Sequence, residues 1–234
     1  MKTSHNNKKR LVTKVFEDVF TKYDLMNDMM SFGIHRLWKK NFIHWLNPQK
    51  NTKLIDVASG TGDIAKLYLN KVDYKGEVYC LDENKGMLEL SRKKFNKKSN
   101  VKWFCGNAQK LKFKSNYFDY YTISFGIRNV DNISVALSEA YRVLKPGGRF
   151  LCLEFSKMNN EILNKFYKIY SKSLPKVGKI VVGKSKPYEY LIDSIDKFYT
   201  QEKFCNEIKK QNFSKISYRN LSAGIVAIHS AWKI

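Results

Sequence analysis

Acidic residues are scarce in this chain. Only 21 Asp and Glu stand against 43 Lys and Arg, a formal net charge of +22 over 234 residues. Arginine is scarce too: seven of the basic residues, at positions 10, 36, 92, 128, 142, 149 and 219. A nucleic-acid groove is built from clustered Arg interleaved with aromatics. Dispersed Lys does not make one, so no nucleic-acid partner is expected. Lys, Asn and Ile share A/T-rich codons, and genomic bias accounts for part of the charge. Attraction to an anionic lipid surface is the other reading. No stretch approaches the ~18 apolar residues that a spanning helix needs. The opening MKTSHNNKKR is basic with no apolar run behind it, so no secretory signal is expected. Four cysteines, Cys80, Cys105, Cys152 and Cys205, show no C-x-x-C spacing. Buried free thiols in a reducing compartment are expected, rather than disulfides or a metal site. No repeat, low-complexity tract or Pro/Gly/Ser-rich linker divides the chain, which reads as one domain.

What is present begins at Leu54–Asp63, LIDVASGTGD. A short apolar strand carries Asp56, breaks into Gly60-Thr61-Gly62-Asp63, and runs on into a helical pattern. A second strand, 77–81, ends at Asp82, twenty residues after Gly62. Glycines let the backbone approach a ligand, and an acid at the tip of the next strand can grip ribose hydroxyls. This is the layout of a nucleoside-cofactor site. Gly60, Gly62 and Ala65 also satisfy the loose G-x-G-x-x-G/A pattern, so the glycines alone leave NAD open.

The periodicity predicts helices at 8–22 and 35–46, the second stopped before Pro48. Strands and helices then alternate: strand 53–58, helix 62–71, strand 77–82, helix 84–97, strand 101–105, strand 118–125, helix 131–144 and strand 149–155. Such alternation predicts an α/β fold, a doubly wound, mostly parallel sheet with ligands beyond the carboxyl ends of its strands. Asp56, Asp82, Asn107 and Ser124 lie at or just past those ends and should meet in one crevice. Residues 159–199 read as two helical stretches joined around Pro175 and Pro187. The segment 213–234 reads as two strands joined at Ser222-Ala223-Gly224. The expected division is a helical arm at 1–47, a cofactor-binding core at 48–155, a helical cover at 156–200, and a helix and β-hairpin at 201–234.

Three features favour S-adenosyl-L-methionine over NAD. Asp56 precedes the glycines, where an ammonium and a sulfonium welcome a carboxylate and a pyrophosphate does not. Gly106-Asn107-Ala108 offers polar groups to an adenine edge. Leu144-Lys145-Pro146-Gly147-Gly148 stops a helix ahead of Arg149–Glu154, and this order resembles the segment before the fifth strand of class I methyltransferases. That resemblance implies seven strands and a terminal hairpin.

Two longer segments narrow the family. Tyr23–Trp38, YDLMNDMMSFGIHRLW, and Arg142–Ser156, RVLKPGGRFLCLEFS, closely resemble the signature segments of the ubiquinone/menaquinone biosynthesis C-methyltransferases. Ile123–Val130, ISFGIRNV, and Ala223–His229, AGIVAIH, resemble the same family. The likeness runs from about residue 11 to 234, with 158–187 its least matched part. Ser59 departs from it, standing where the family more often has glycine.

The resemblance implies transfer of a methyl group from S-adenosyl-L-methionine to a ring carbon of a polyprenyl benzoquinol or naphthoquinol, with no metal. It implies that Thr61, Asp82, Asn107, Ala108 and Ser124 line the cofactor, with Asp56, Gly60 and Gly62 in the loop before them. Arg128 and Asn129 fall on the methyl-donor side, Arg128 being the first choice for a charged group facing the quinol. Tyr23, Asp24, Asn27 and His35 are candidates to close the site, His35 either as a base or as a helix-start histidine bonded to backbone. A polyprenyl tail places the enzyme at a bilayer, in the cytoplasm against the inner membrane, or on the matrix side in a eukaryote. A homodimer and a complex of quinone-biosynthesis enzymes are further expected partners. A basic amphipathic stretch at 159–190, with Ile162, Phe166, Ile169, Tyr170 and Leu174 on one face, either touches the membrane or packs that face on the domain with its lysines in water. A methyltransferase for another lipid would keep 54–155 without needing the Tyr23–Trp38 segment.

Overall fold

The computed structural model describes residues 28, 31, 33–95, 100–158 and 186–234. The helix expected at 8–22, the residues Tyr23, Asp24 and Asn27, and most of the cover lie outside them. Helix α1 is His35–Leu46 and ends at Asn47, whose left-handed backbone donates its N–H to Ile43 O. There follow β1 (Lys53–Val57), α2 (Asp63–Lys71), β2 (Glu77–Asp82), α3 (Lys85–Lys94), β3 (Val101–Cys105), β4 (Phe118–Ser124), α4 (Ile133–Val143) and β5 (Leu144–Phe155). The chain closes with α5 (Lys186–Lys197), α6 (Gln201–Lys209), β6 (Ser214–Leu221) and β7 (Val226–Trp232). Asn84 and Asn132 cap α3 and α4, accepting from Met87 N and Val135 N; an amide oxygen there satisfies an N–H that the first turn leaves free.

One sheet holds all seven strands in the order β3-β2-β1-β4-β5-β7-β6. The first five are parallel; β7 runs antiparallel to both β5 and β6. The hairpin turns at Ser222–Gly224, as the sequence predicts. Both faces of the sheet are covered, and alternation along each strand shows it. Leu54, Leu151, Leu153 and Phe155 join one core with Trp38, Phe42, Tyr68 and Tyr188. Ile55, Val57, Phe150 and Cys152 join the other, with Leu137, Phe204 and Ile208. Period-two burial on both faces is what a central parallel strand needs.

Two expectations need correction, the LKPGG turn and the burial of the cysteines. The segment LKPGG is not a turn ahead of a strand starting at 149. β5 already pairs at Leu144 with Phe118, and the next ladder pair is Tyr120 with Arg149, so residues 145–148 loop out as a bulge. Gly147 N and Gly148 O are taken by the backbone of Lys233, which explains why the bulge is tolerated. Pro187 is the second residue of α5, where a missing N–H costs nothing, and the stretch expected before it lies outside the described residues. Cys105 is exposed and Cys205 half-buried, so only Cys80 and Cys152 are the buried thiols expected; all four are free. Among the described residues no helix is long and apolar enough to cross a membrane.

Candidate active site

The loop from β1 to α2 has its special backbone at Ala58 (φ 53°), Gly60 (φ 53°) and Gly62 (φ 84°). Ser59 is not among the left-handed residues, so serine there carries no backbone strain. The two glycines serve different ends. A Cβ at Gly62 would sit 2.5 Å from Ser91 Oγ and 2.8 Å from the Phe95 ring, so Gly62 lets α2 pack on α3. A Cβ at Gly60 would meet nothing within 4 Å, and Gly60 lines the cavity beside it.

Asp82, at the tip of β2, fixes that loop. Its Oδ2 accepts the Gly60 N–H at 2.9 Å and its Oδ1 the Asn84 N–H at 2.9 Å. Burial raises its carboxyl, and these backbone bonds oppose the shift. Each oxygen keeps a second lone pair for a ligand hydroxyl. Asp82 lines a cavity of about 720 Å³ together with Gly60, Asn107, Ala108 and Ser124. Met87, Gln109 and Asp131, which the sequence reading passed over, line it too. Asn107 Oδ1 accepts the Gln109 N–H at 2.7 Å, shaping the turn after β3.

Three residues expected in the cofactor set do not line this cavity. Gly62 serves packing. Thr61 is buried. Asp56 is 1% exposed and its Oδ1 accepts from Thr122 Oγ1 at 2.8 Å. Its Oδ2 has no protein partner, and burial pushes its carboxyl up to about 7. Its one side-chain bond is thus to β4, and it does not line the cavity.

At the other end, Phe125 holds φ 54° and its ring packs on Trp38 and Phe155. A Cβ at Gly126 would lie 2.4 Å from Ala58 Cβ, so glycine brings the two loops together. A single 3-10 turn, Ile127–Asn129, follows. Asn129 lines the cavity and Arg128 does not. The Arg128 guanidinium is committed instead: Nη1 donates to Glu154 Oε1 at 2.8 Å and to Phe125 O at 2.7 Å, and Nε to Ser194 Oγ at 3.2 Å. It is thus neither a free charge facing the quinol nor a surface ion pair. Burial pushes the Glu154 carboxyl up, while Arg128 and two backbone N–H groups oppose it. Glu154 was legible as an acid inside the apolar run FLCLEF; Tyr190 and Ser194 carried no signal, because only the fold brings α5 to this turn.

His35 is the first residue of α1 and is buried. Its Nε2 pairs with Asp28 Oδ1 at 2.9 Å rather than with backbone, and burial lowers its pKa. Arg36 binds the same carboxylate through both guanidinium nitrogens. His35 is not in the cavity lining, so the structure does not bring it to Asn129. One helical turn on, Lys39 Nζ reaches Asp63 Oδ2 at 2.7 Å and ties α1 to the first turn of α2. Among the described residues no cluster of His, Cys, Asp and Glu is placed to hold a metal.

Solved structures share this architecture. A SAM-dependent methyltransferase from Thermotoga maritima aligns with 94% of this chain and 99% of its own (TM-score 0.67, 19% identity). A Haemonchus contortus phosphoethanolamine N-methyltransferase 2, in complex with S-adenosyl-L-methionine, aligns with 84% of this chain and 52% of its own (TM-score 0.65, 16% identity). Sequence relatives are far nearer. A Rickettsia bellii protein named ubiquinone/menaquinone biosynthesis C-methyltransferase UbiE is 51% identical over all of this chain and 96% of its own length. A Brucella suis protein of the same name is 47% identical over 98% of this chain and 87% of its own. The ubiE/COQ5 methyltransferase family pattern matches residues 2–233. A seven-stranded sheet with its cavity at the β1, β2 and β4 tips, and near-half identity along the whole length, place this chain in the ubiE/COQ5 methyltransferase family.

Proposed function

We propose that the protein is an S-adenosyl-L-methionine-dependent C-methyltransferase acting on a polyprenyl benzoquinol or naphthoquinol in ubiquinone or menaquinone biosynthesis. The observation that carries this reading is Asp82, a carboxylate with spare lone pairs opening on a cavity whose other end is lined by Asn129. The residues fit the cofactor. Asp82 would hold the ribose hydroxyls, Asn107 and Ala108 the adenine edge, and Gly60 leaves its side of the cavity open. When bound, S-adenosyl-L-methionine supplies an electrophilic methyl group on a sulfonium.

The chain's residues do the rest. A ring carbon ortho to a phenol is a weak nucleophile until the phenol ionises. Asn129 offers a donor to that oxygen, and the buried Arg128 adds positive potential behind it. A ring carbon that takes this methyl would release its own hydrogen as a proton to solvent and restore the aromatic ring, while the oxygen regains a proton, so that one proton is released per methyl transferred. Phe125, Trp38 and Phe155 form an apolar wall beside this turn, suited to excluding water. The test is direct. Purified protein, labelled S-adenosyl-L-methionine and a demethylated quinol should give a product heavier by one methyl, with the label on the ring. No transfer at saturating substrate overturns the reading.

The polyprenyl tail makes a bilayer the meeting place, and the charge of +22 favours an anionic one. Co-sedimentation should need anionic lipid and weaken with salt. Equal binding to neutral and anionic vesicles, or none, overturns this part alone.

A further inference from the structure

Helix α5 reaches the reaction end of the cavity with two side chains one turn apart. Tyr190 Oη donates to Asn129 Oδ1 at 2.9 Å, and Ser194 Oγ accepts from Arg128 Nε at 3.2 Å. Residues four apart share a helix face, so α5 holds two consecutive residues of the turn. The bond to Asn129 has a directional consequence. An amide side chain has an accepting end and a donating end. With Oδ1 occupied by the phenol, the Nδ2 end is fixed away from α5. Asn129 lines the cavity, and among the described residues its Nδ2 has no hydrogen-bond partner. Tyr190 is suited to be the donor of the pair. Burial raises its pKa, and Asp193, Asp131 and Glu154 raise it further against the opposing Arg128, so the phenol keeps its proton.

We propose that Tyr190 is a positioning residue for methyl transfer, holding the Asn129 amide so that Nδ2 donates to the quinol oxygen beside the methylated carbon. The proposal rests on the quinol reading given above. A donor at that oxygen stabilises the ionised phenol and fixes which ring carbon faces the methyl group. Released from Tyr190, the amide rotates freely and presents oxygen to an oxygen for part of the time.

Four variants test this: Tyr190→Phe, Asn129→Ala, Asn129→Asp and the double variant Tyr190→Phe/Asn129→Ala. Cofactor affinity, measured by calorimetry, should stay within about twofold of wild type in all four, because Asp82 holds the cofactor. In Tyr190→Phe, kcat should fall roughly ten- to a hundredfold. The alkaline-rising limb of its pH–rate profile should move up by about one unit, since the ionised phenol has lost its donor. Asn129→Asp keeps an acceptor for Tyr190 but no N–H, so it should be as slow as Asn129→Ala. The double variant should be no slower than Asn129→Ala, because the two residues act as one unit. Tyr190→Phe within twofold of wild type overturns the proposal. So do additive losses, or an Asn129→Asp variant that works normally. Wild-type protein that binds cofactor yet methylates no quinol overturns the functional reading, and this proposal with it. A wild type that turns over beside an unaffected Tyr190→Phe overturns the Tyr190 role alone.

Discussion

Arg128 Nη1 lies 2.8 Å from Glu154 Oε1, and the two side chains are 6% and 1% exposed. Removing one member of such a pair strands a charge in the core. Arg128→Ala should therefore lower unfolding free energy by ~3–5 kcal/mol, read by denaturant titration. Arg128→Lys keeps the charge but cannot reach Glu154, Phe125 O and Ser194 together. It should lose less stability than the alanine variant while turnover falls by about tenfold or more. A stable Arg128→Ala protein would show that the pair is dispensable.

Asp82→Ala should weaken binding of S-adenosyl-L-methionine roughly ten- to a hundredfold, the worth of a hydrogen bond to a charged group. The same change frees the Gly60 and Asn84 N–H groups, so the loop should also exchange amide hydrogens faster. Unchanged affinity in the folded variant would remove Asp82 from the cofactor site.

Gly60 and Gly62 should separate binding from stability. Gly62→Ala forces a Cβ against Ser91 and Phe95 at a left-handed backbone position, and its melting temperature should fall by several degrees, for a cost of ~1–3 kcal/mol. Gly60→Ala meets no atom and should lose less stability, while cofactor affinity falls. Equal melting temperatures for the two would refute the division of labour.

Two buried groups set opposite pH slopes. His229 is held neutral in the sheet, its pKa lowered by burial from 6.5 to about 4. The unfolded chain binds that proton more readily, so this contribution to stability is present above 6.5 and lost as pH falls towards 4. Asp56 is raised from 3.8 to about 7. The folded chain holds that proton more tightly, so stability declines as pH rises from 3.8 to about 7. Relative to wild type, His229→Gln should gain on acidification between pH 6.5 and 4. Asp56→Asn, which keeps an acceptor for Thr122, should gain as pH approaches 7. Difference curves that are flat in both variants would contradict these shifts.

The parallel core was readable because each strand carries its own pattern. Strands 77–82 and 101–105 fall where the sequence places them, and Asp82 follows Gly62 at the expected distance. The bulge at 145–148 was not readable: helix-stop chemistry and a looped-out strand both use Pro-Gly-Gly, and only pairing with Lys233 decides between them. Gly62 looked like a ligand glycine because it stands in the G-x-G pattern; the neighbours that require it, Ser91 on another helix and Phe95 at that helix's end, are brought by the fold. Arg128 looked free because it stands just past a strand tip. Its partners Glu154 and Ser194 lie 26 and 66 residues away. Sequence shows which residues stand at strand tips and not which way they turn once there.

Strand β7 lies between β5 and β6 in the finished sheet. During synthesis β5 emerges on the ribosome some seventy residues before the strand that covers it. Until residues 226–232 arrive, the outer edge of β5 is an open row of backbone donors and acceptors, ready to pair with any extended chain nearby. The nascent protein thus passes through a sticky interval before residues 226–232 emerge, when chaperone occupancy at this edge would matter most.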